Sequence, residues 1–330
     1  MKILFTGNVM LGRLVNEVLK WRPPESVWGN TMPMIRGGDI RIMNLECVIS
    51  DKGLPWLATP REEHFRSDRE NIHVLTAAGV SVVSVANDHA LDFEYEGLET
   101  MLANLRGENI ESVGAGTNIE EAMRPAVVER DGLKMGIIAA TDHVPEWEAH
   151  EELPGIFYVP IDLEDPRAKA LFEIVAEMKK KMDIVIVSLH WGPEHGYKPP
   201  GEQIPFAYRL IDSGADIVYG HGGGVFRGVE IYAGKPILYS TGNFVDDYTT
   251  SHPERNDQSF LFMVETEKTK LTKLHLYPTT IRNLCAEMAE GDDRENIFEQ
   301  MEKLCAEFKT PTTRGASGGR LEIDLSTEES

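Results

Sequence analysis

Short β-branched runs alternate with amphipathic stretches along this chain, and four of the runs end in polar residues. Arg41-Ile42-Met43-Asn44-Leu45-Glu46 and Val82-Val83-Ser84-Val85-Ala86-Asn87-Asp88-His89 lie in the first half. Ile184-Val185-Ile186-Val187-Ser188-Leu189-His190 and Ala215-Asp216-Ile217-Val218-Tyr219-Gly220-His221 lie in the second. A β-branched run bounded by polar residues predicts a buried strand. Polar residues at the carboxyl ends of such strands border the crevice where α/β sheets bind ligands. Four strand ends bringing Glu, Asp or Asn, His and His to one crevice would supply a metal site of mixed nitrogen and oxygen ligands.

The same pattern predicts the elements between these runs. A strand over 3–5 leads to a helix over 12–20. Strands at Ile40–Leu45 and 80–85 flank a helix over 69–78. Leu98, Met101, Leu102 and Leu105 recur at helical spacing over 94–106. A strand over 134–139 and a helix over 167–181 precede the His190 strand, and a helix over 205–213 precedes the His221 strand. Val229–Tyr232 and residues 237–240 flank Ala233-Gly234-Lys235-Pro236 as a hairpin. Residues 260–265 and 271–278 form another antiparallel pair, and a last helix covers 292–308. Alternation followed by hairpins predicts an α/β fold with mixed strand directions, arranged as two stacked sheets with helices outside. Segments 21–38 and 51–67 read as irregular loops that wall the cleft. The pattern predicts a single domain over 1–308 and a partly mobile tail over 309–330, in which 320–325 is a final strand or an ordered extension.

Composition narrows the partners. With 33 Lys and Arg against 54 Asp and Glu, the net charge is −21. Such a surface excludes nucleic acid and anionic membrane as natural partners. A small anionic substrate stays admissible, because one local cation reverses the field in a cleft. No apolar stretch is long enough to span a bilayer, so no membrane anchor is expected. The first residues read as a strand rather than a signal sequence. Cys47, Cys285 and Cys305 are odd in number and lack CxxC spacing. They point to a cytoplasmic protein without a cysteine metal site.

The candidate chemistry sits where the runs end. Glu46 is a ligand or an exposed carboxylate. Asn87-Asp88-His89, with Asp92 three residues on, is either a capping turn or a site. In the second case Asp88 or Asn87 serves the metal, and His89 is a general acid/base whose tautomer Asp92 holds. His190-Trp191-Gly192 offers a ligand or a satisfied core histidine, and His195 and Tyr197 reach the cleft from the turn that follows. Gly220-His221-Gly222-Gly223-Gly224 lets the backbone approach a ligand closely, or is a flexible turn. It is no nucleotide loop, since neither phosphate-binding glycine motif is present. Asn243, Asp246 and Asp247 border the same site or belong to a surface loop.

These motifs resemble the capsule-synthesis (CapA, poly-γ-glutamate synthesis) family of the metallophosphatase-like superfamily. The resemblance rests on Thr6-Gly7-Asn8-Val9-Met10-Leu11-Gly12-Arg13, Asn44-Leu45-Glu46, Ala86-Asn87-Asp88-His89-Ala90-Leu91-Asp92, Val113-Gly114-Ala115-Gly116 and Arg124-Pro125-Ala126. It continues through Ser188-Leu189-His190-Trp191-Gly192, Gly220-His221 and the run from Gly234 to Phe244. It implies a four-layer α/β/β/α sandwich with two mixed sheets around a metal centre. It assigns Glu46, Asp88, His190 and His221 to one metal, and Glu46 with the positions of Asn8 and Gly224 to a second. The family usually carries Asp and His at those two positions, and commonly Asn at 88. One tightly held divalent ion (Mn, Zn, Fe or Mg) is therefore expected, with Asn8 offering at most a neutral carbonyl oxygen. Arg13, Arg66, Asn87, Trp191, Asn243 and Asp246 are the expected substrate-binding residues.

Three functions follow. The first is a metal-dependent hydrolase acting on an amide- or phosphate-containing substrate, either poly-γ-glutamyl or peptide, with His89 as general acid. The second is a metal-assisted peptide epimerase. A subset of the family with that activity is similar around Pro55-Trp56, His64-Phe65-Arg66 and residues 244–248 and 255–257. The third is a non-catalytic relic that binds a metal or ligand. In each case the partner is a small molecule, peptide or polyglutamyl chain.

Overall fold

The apolar runs become strands buried on both faces. Ile184–His190 is buried at every position, as expected of a central strand covered by other layers on each side. The structure, a computed structural model, describes residues 1–248 and 254–326. The first sheet runs in the order Thr313–Arg314, Leu321–Asp324, Lys270–Arg282, Gln258–Glu267, Lys2–Val9, Ile40–Leu45, Val82–Ser84, Glu111–Val113. From Lys2–Val9 to Glu111–Val113 it is parallel, and the remainder is antiparallel. Asn243–Val245 adds alongside Lys2–Val9. The second sheet runs Val229–Tyr232, Lys235–Leu238, Ile217–His221, Ile184–His190, Leu133–Thr141, Ala126–Arg130, with both edge strands antiparallel.

Successive side chains of a strand point to opposite faces, so each sheet feeds two apolar cores. Phe5, Ile42, Ile137, Ile186 and Tyr219 pack between the sheets. Leu4, Met43 and Val83 face outward against Val15, Leu75 and Leu98 of three helices. Val185, Val187 and Val218 face outward from the second sheet against Leu171 and Leu210 of Pro166–Lys179 and Gln203–Ser213. The result is the expected α/β/β/α sandwich. Among the described residues, no helix is long and apolar enough to cross a membrane.

Segment 21–38 departs from the expected irregular loop. It forms a 3-10 helix over Pro24–Thr31 and an α-helix over Met32–Arg36. Trp28 is fully buried there, and its Nε1 donates to the Val74 carbonyl at 2.9 Å. The segment is too short and too broken by Pro and Gly for periodicity to show, and Trp28 and Ile35 supply the burial instead. Segment 51–67 is irregular up to Arg66–Ser67, which pairs with Val48–Ile49. Of the expected tail, Thr313–Arg314 pairs with Leu321–Asp324 on the edge of the first sheet. Residues 327–330 lie outside the described residues.

Two features hold the sheets in register at the site. Lys2–Val9 shifts register between Phe5 and Asn8. Beside this shift a Cβ on Gly7 would lie 2.1 Å from the Gly242 carbonyl oxygen, so only glycine fits. At the same irregularity Thr6 accepts the Tyr219 hydroxyl of the other sheet at 2.7 Å. Asn8 then lies opposite Asn44 and Asn243, and His190 opposite His221 and Thr141. Tyr219→Phe is expected to lower the unfolding free energy by about 1–2 kcal/mol, because it leaves a buried carbonyl unpaired. Urea denaturation checks this, and an unchanged midpoint and slope would show that the link carries no stability.

Candidate metal centre

The carboxyl ends of both sheets open into one cleft of about 610 Å³, whose floor includes Glu46, Asp88, His89, His143 and His190. Arg61, Glu62, Glu63 and Phe65 of the irregular 51–67 segment form a wall. Glu46 ends Ile40–Leu45 and Asp88 follows Val82–Ser84 in the first sheet, while His190 and His143 come from the second.

Glu46 is only 6% exposed, and its Oε2 has no hydrogen-bond partner among the described residues. Burial pushes its carboxyl well above the ordinary range, and Asp88 adds to this. Burial would raise Asp88 as well, but His89, His190 and His143 outweigh it and hold that carboxyl well below the usual range. Asp88 Oδ1 lies 3.1 Å from His190 Nε2 without the in-line geometry of a hydrogen bond. Burial lowers His190 and holds His221 well below its ordinary value. The shift favours the neutral imidazole in both, the form that ligates metals. One donor atom each from Asp88, His143 and His190 lie within 4.8 Å of one another, and so do those of Glu46, Asp88 and His89. A buried carboxylate oxygen without a partner is costly unless a cation meets it. This donor set fits a divalent metal of intermediate hardness.

His221 stands behind this group. Its Nε2 lies 2.8 Å from Ser188 Oγ and its Nδ1 3.4 Å from His190 Nδ1. Gly222, at φ +98°, passes so close to the His190 ring that a Cβ would lie 3.0 Å from it.

Next to the carboxylates, His89 Nδ1 lies 2.6 Å from Asp92 Oδ2. Asp92 is fully buried, accepts the Phe65 amide at 2.7 Å and pairs with Arg61 at 3.3 Å. Arg61 also donates to the Asp88 backbone carbonyl and stacks over Trp147. The His89 ring stacks on Phe65 at 3.9 Å. Burial lowers the His89 pKa, but Asp88 and Asp92 outweigh it and raise the net value. The Asp92 contact places a proton on Nδ1 and directs Nε2 toward Asp88, 3.8 Å away.

Four asparagines tie the strand ends together. Asn8 Oδ1 accepts from Asn44 Nδ2 at 3.1 Å and from the Gly222 amide at 3.3 Å, and Asn8 Nδ2 donates to Asn243 Oδ1 at 3.0 Å. Asn44 in turn accepts from Asn87 at 3.0 Å, and Asn87 accepts the His89 amide at 3.1 Å. Reversing the Asn8 amide would set its NH2 against two donors, so the network fixes its orientation. The carbonyl oxygen expected to reach a metal is thus engaged by two protein donors. At Gly224, on the cleft lining, a Cβ would meet nothing closer than 3.6 Å, so the backbone there does not require glycine for space.

The other expected residues divide into two groups. Arg13 and Asn243 line the cleft, Arg13 being held by Glu63 and, at 3.2 Å, by Asp247. His195 also lines it, whereas Tyr197 packs against Phe226. Asn87 lies fully buried within the amide network. Asp246 is buried beside the cleft, accepts the Tyr248 amide at 3.0 Å, and is pushed up to about 8 by burial. Trp191 is fully buried in the outer core of the second sheet, donating to the Tyr239 carbonyl at 2.9 Å. Arg66 spends its guanidinium on the Lys52 and Gly53 carbonyls and the Phe93 ring, outside the cleft lining. His64 Nε2 lies 2.8 Å from the Trp56 carbonyl, shaping the 51–67 segment from within. His143 and Arg61 were not singled out by the sequence pattern. The signal for His143 was present: the 134–139 run ends in Thr141-Asp142-His143, as the other four runs end in polar residues. Arg61 sits in an irregular segment and carries no such signal.

Residues 2–248 match the family described as "Bacterial capsule synthesis protein PGA_cap". The chain is 34% identical over 323 residues to a "Probable polyglutamine synthesis accessory protein" of Mycobacterium tuberculosis, covering 92% of this chain and 83% of that one. It is 30% identical over 245 residues to "PGA biosynthesis protein CapA" of Bacillus subtilis, covering 74% of this chain and 62% of that one. Among solved structures it is similar to a novel phosphatase from Mycoplasma pneumoniae, with a TM-score of 0.51, 16% identity, and coverage of 85% of this chain and 93% of that one. At that identity the likeness concerns the fold alone.

In metal-free protein the raised Glu46 pKa makes stability complete below the unfolded carboxyl value of about 4.5, and lost progressively as pH rises toward the folded value. Glu46→Gln is expected to flatten this loss and to stabilise the metal-free protein by about 1–3 kcal/mol near pH 8. Added Mn(II) or Zn(II) should stabilise the wild type by about 2.7 kcal/mol at a hundredfold excess over Kd, and the variant by less. Thermal unfolding with and without metal reads both signs. A Glu46→Gln protein that is less stable without metal would contradict the electrostatic account.

Proposed function

The chain belongs to the bacterial capsule synthesis protein PGA_cap family, and on that premise we propose that it is a metal-dependent hydrolase. Its substrate would be an amide- or phosphate-containing molecule of the poly-γ-glutamyl or peptide class. The observation that carries this reading is the His89–Asp92 couple, held at 2.6 Å beside Glu46 and Asp88 in the cleft. The names of the relatives, which refer to polyglutamine and PGA synthesis, support the choice of substrate class.

A divalent cation held by Glu46, Asp88 and His190, with His221 behind them, would supply Lewis acidity to a carbonyl or phosphoryl oxygen. His89 supplies the proton. Asp88 and Asp92 favour its charged form, Asp92 holds Nδ1, and Nε2 is left to protonate the leaving nitrogen or oxygen. Arg61 pairs with Asp92 and anchors the backbone at Asp88. Arg13, at the cleft wall, offers a guanidinium to a substrate carboxylate or phosphate. The cleft accepts a chain end or a short segment, not a coiled polymer. With Asn8 tied into the amide network, a two-ion clamp has no second anionic anchor.

His89→Ala is expected to lower kcat/KM by about 10²–10⁴. Asp92→Asn should cost less and move the acidic group in the pH–rate profile downward. The assay follows Mn(II)-loaded protein on poly-γ-glutamate (new amino ends) and on aryl phosphodiesters (released phenolate). No turnover of either class by loaded wild type, or full activity in His89→Ala, would overturn the reading.

A further inference from the structure

We propose that His143 is itself a ligand of the cation, so that the second sheet contributes a His143–His190 pair opposite Asp88. The inference rests on reading the cleft as a metal centre. It goes beyond that reading in naming a ligand that the family resemblance does not assign.

The strand order places His143 at the site. Leu133–Thr141 is the parallel neighbour of Ile184–His190, and Thr141 lies opposite His190. Two residues further on, His143 therefore reaches the same rim, and it lines the cleft. Its ring stands edge-on to His190, with centroids 4.9 Å apart at 87°. One donor atom each of Asp88, His143 and His190 fall within 4.8 Å of one another.

Hydrogen bonding then fixes the ring's use. His143 Nε2 lies 2.9 Å from the Gly192 carbonyl oxygen, which can only accept. Nε2 therefore carries the proton, and Nδ1 keeps the lone pair. A backbone carbonyl on the non-ligating nitrogen is the usual support of a metal-bound histidine. His221 is placed differently, with Ser188 on one nitrogen and the His190 ring against the other. Nearby, the 94%-buried Glu46 turns an unpartnered oxygen toward the same cleft. Two imidazoles and a carboxylate select a borderline divalent ion such as Zn(II), Co(II) or Fe(II) over Mg(II) or Ca(II). The chain lacks an imidazole at Gly224, and His143 offers one from the other side of the His190 strand in the same sheet.

The test is a cobalt(II) titration of the full chain after chelator treatment, followed by calorimetry and by visible d–d absorption. The variants are His143→Ala and His143→Gln, since the Gln amide can keep the bond to the Gly192 carbonyl without offering an imidazole. Wild type is expected to bind a single equivalent. Both variants should keep the wild-type circular dichroism, lose cobalt affinity by at least about 10–100-fold, and show an altered d–d band. If His143→Gln binds cobalt with the affinity and spectrum of wild type, His143 is not a ligand, while the metal centre stands. If wild type takes up no cobalt, both the centre and this ligand are refuted.

Discussion

Two carboxylates of one cleft, the buried Glu46 and the half-buried Asp88, set the terms for everything around them. Each resists ionisation by burial, and each charge opposes the other. His89, with His190 and His143 of the facing sheet, tips the balance for Asp88, but Glu46 keeps an oxygen that no partner among the described residues satisfies. A fold stable by only about 5–15 kcal/mol tolerates such a group where a ligand compensates it. The register of the two sheets is what brings the groups together. The shift between Phe5 and Asn8, the glycine that permits it, and the Tyr219 hydroxyl that closes it all lie beside the site.

The amide network explains how this chain differs from the pattern it resembles. Where that pattern has Asp, Asn8 donates and accepts within a row of asparagines that joins three strands. Where it commonly has Asn, Asp88 carries a charge. In this chain the charge sits at Asp88, past the Val82–Ser84 strand and beside His190 of the second sheet, and not at Asn8 on the Lys2–Val9 strand. His89 and Asp92 stand on the side of Asp88 where the charge has accumulated, which favours an imidazolium able to give up a proton.

Much of this was legible in the sequence because a buried strand and its polar end are local signals. Glu46, Asp88, His89 and His190 stand out for that reason, and the His89–Asp92 contact follows from a three-residue spacing. The same logic reached Asn87 and Trp191, but strand alternation turns Asn87 into the amide row and Trp191 into the outer core. His143 shows the same local signal, weaker because the Ala139-Ala140-Thr141 end of its strand has small side chains. Irregular segments were opaque. Nothing in residues 51–67 separates Arg61, which reaches Asp92, from Arg66, which caps backbone carbonyls. Trp28 likewise builds short helices from a stretch whose Pro and Gly content hides its burial.

A single divalent cation is expected in this cleft, because Asn8 leaves the second half of a two-ion site without an anionic ligand of its own. Elemental analysis of manganese-loaded protein after gel filtration tests it directly, on wild type beside the Asn8→Asp/Gly224→His double variant. One ion per chain in wild type and two in the double variant is the expected result. Two ions in wild type would show that Asn8 and its amide network do not limit the site, and none would remove the metal centre altogether.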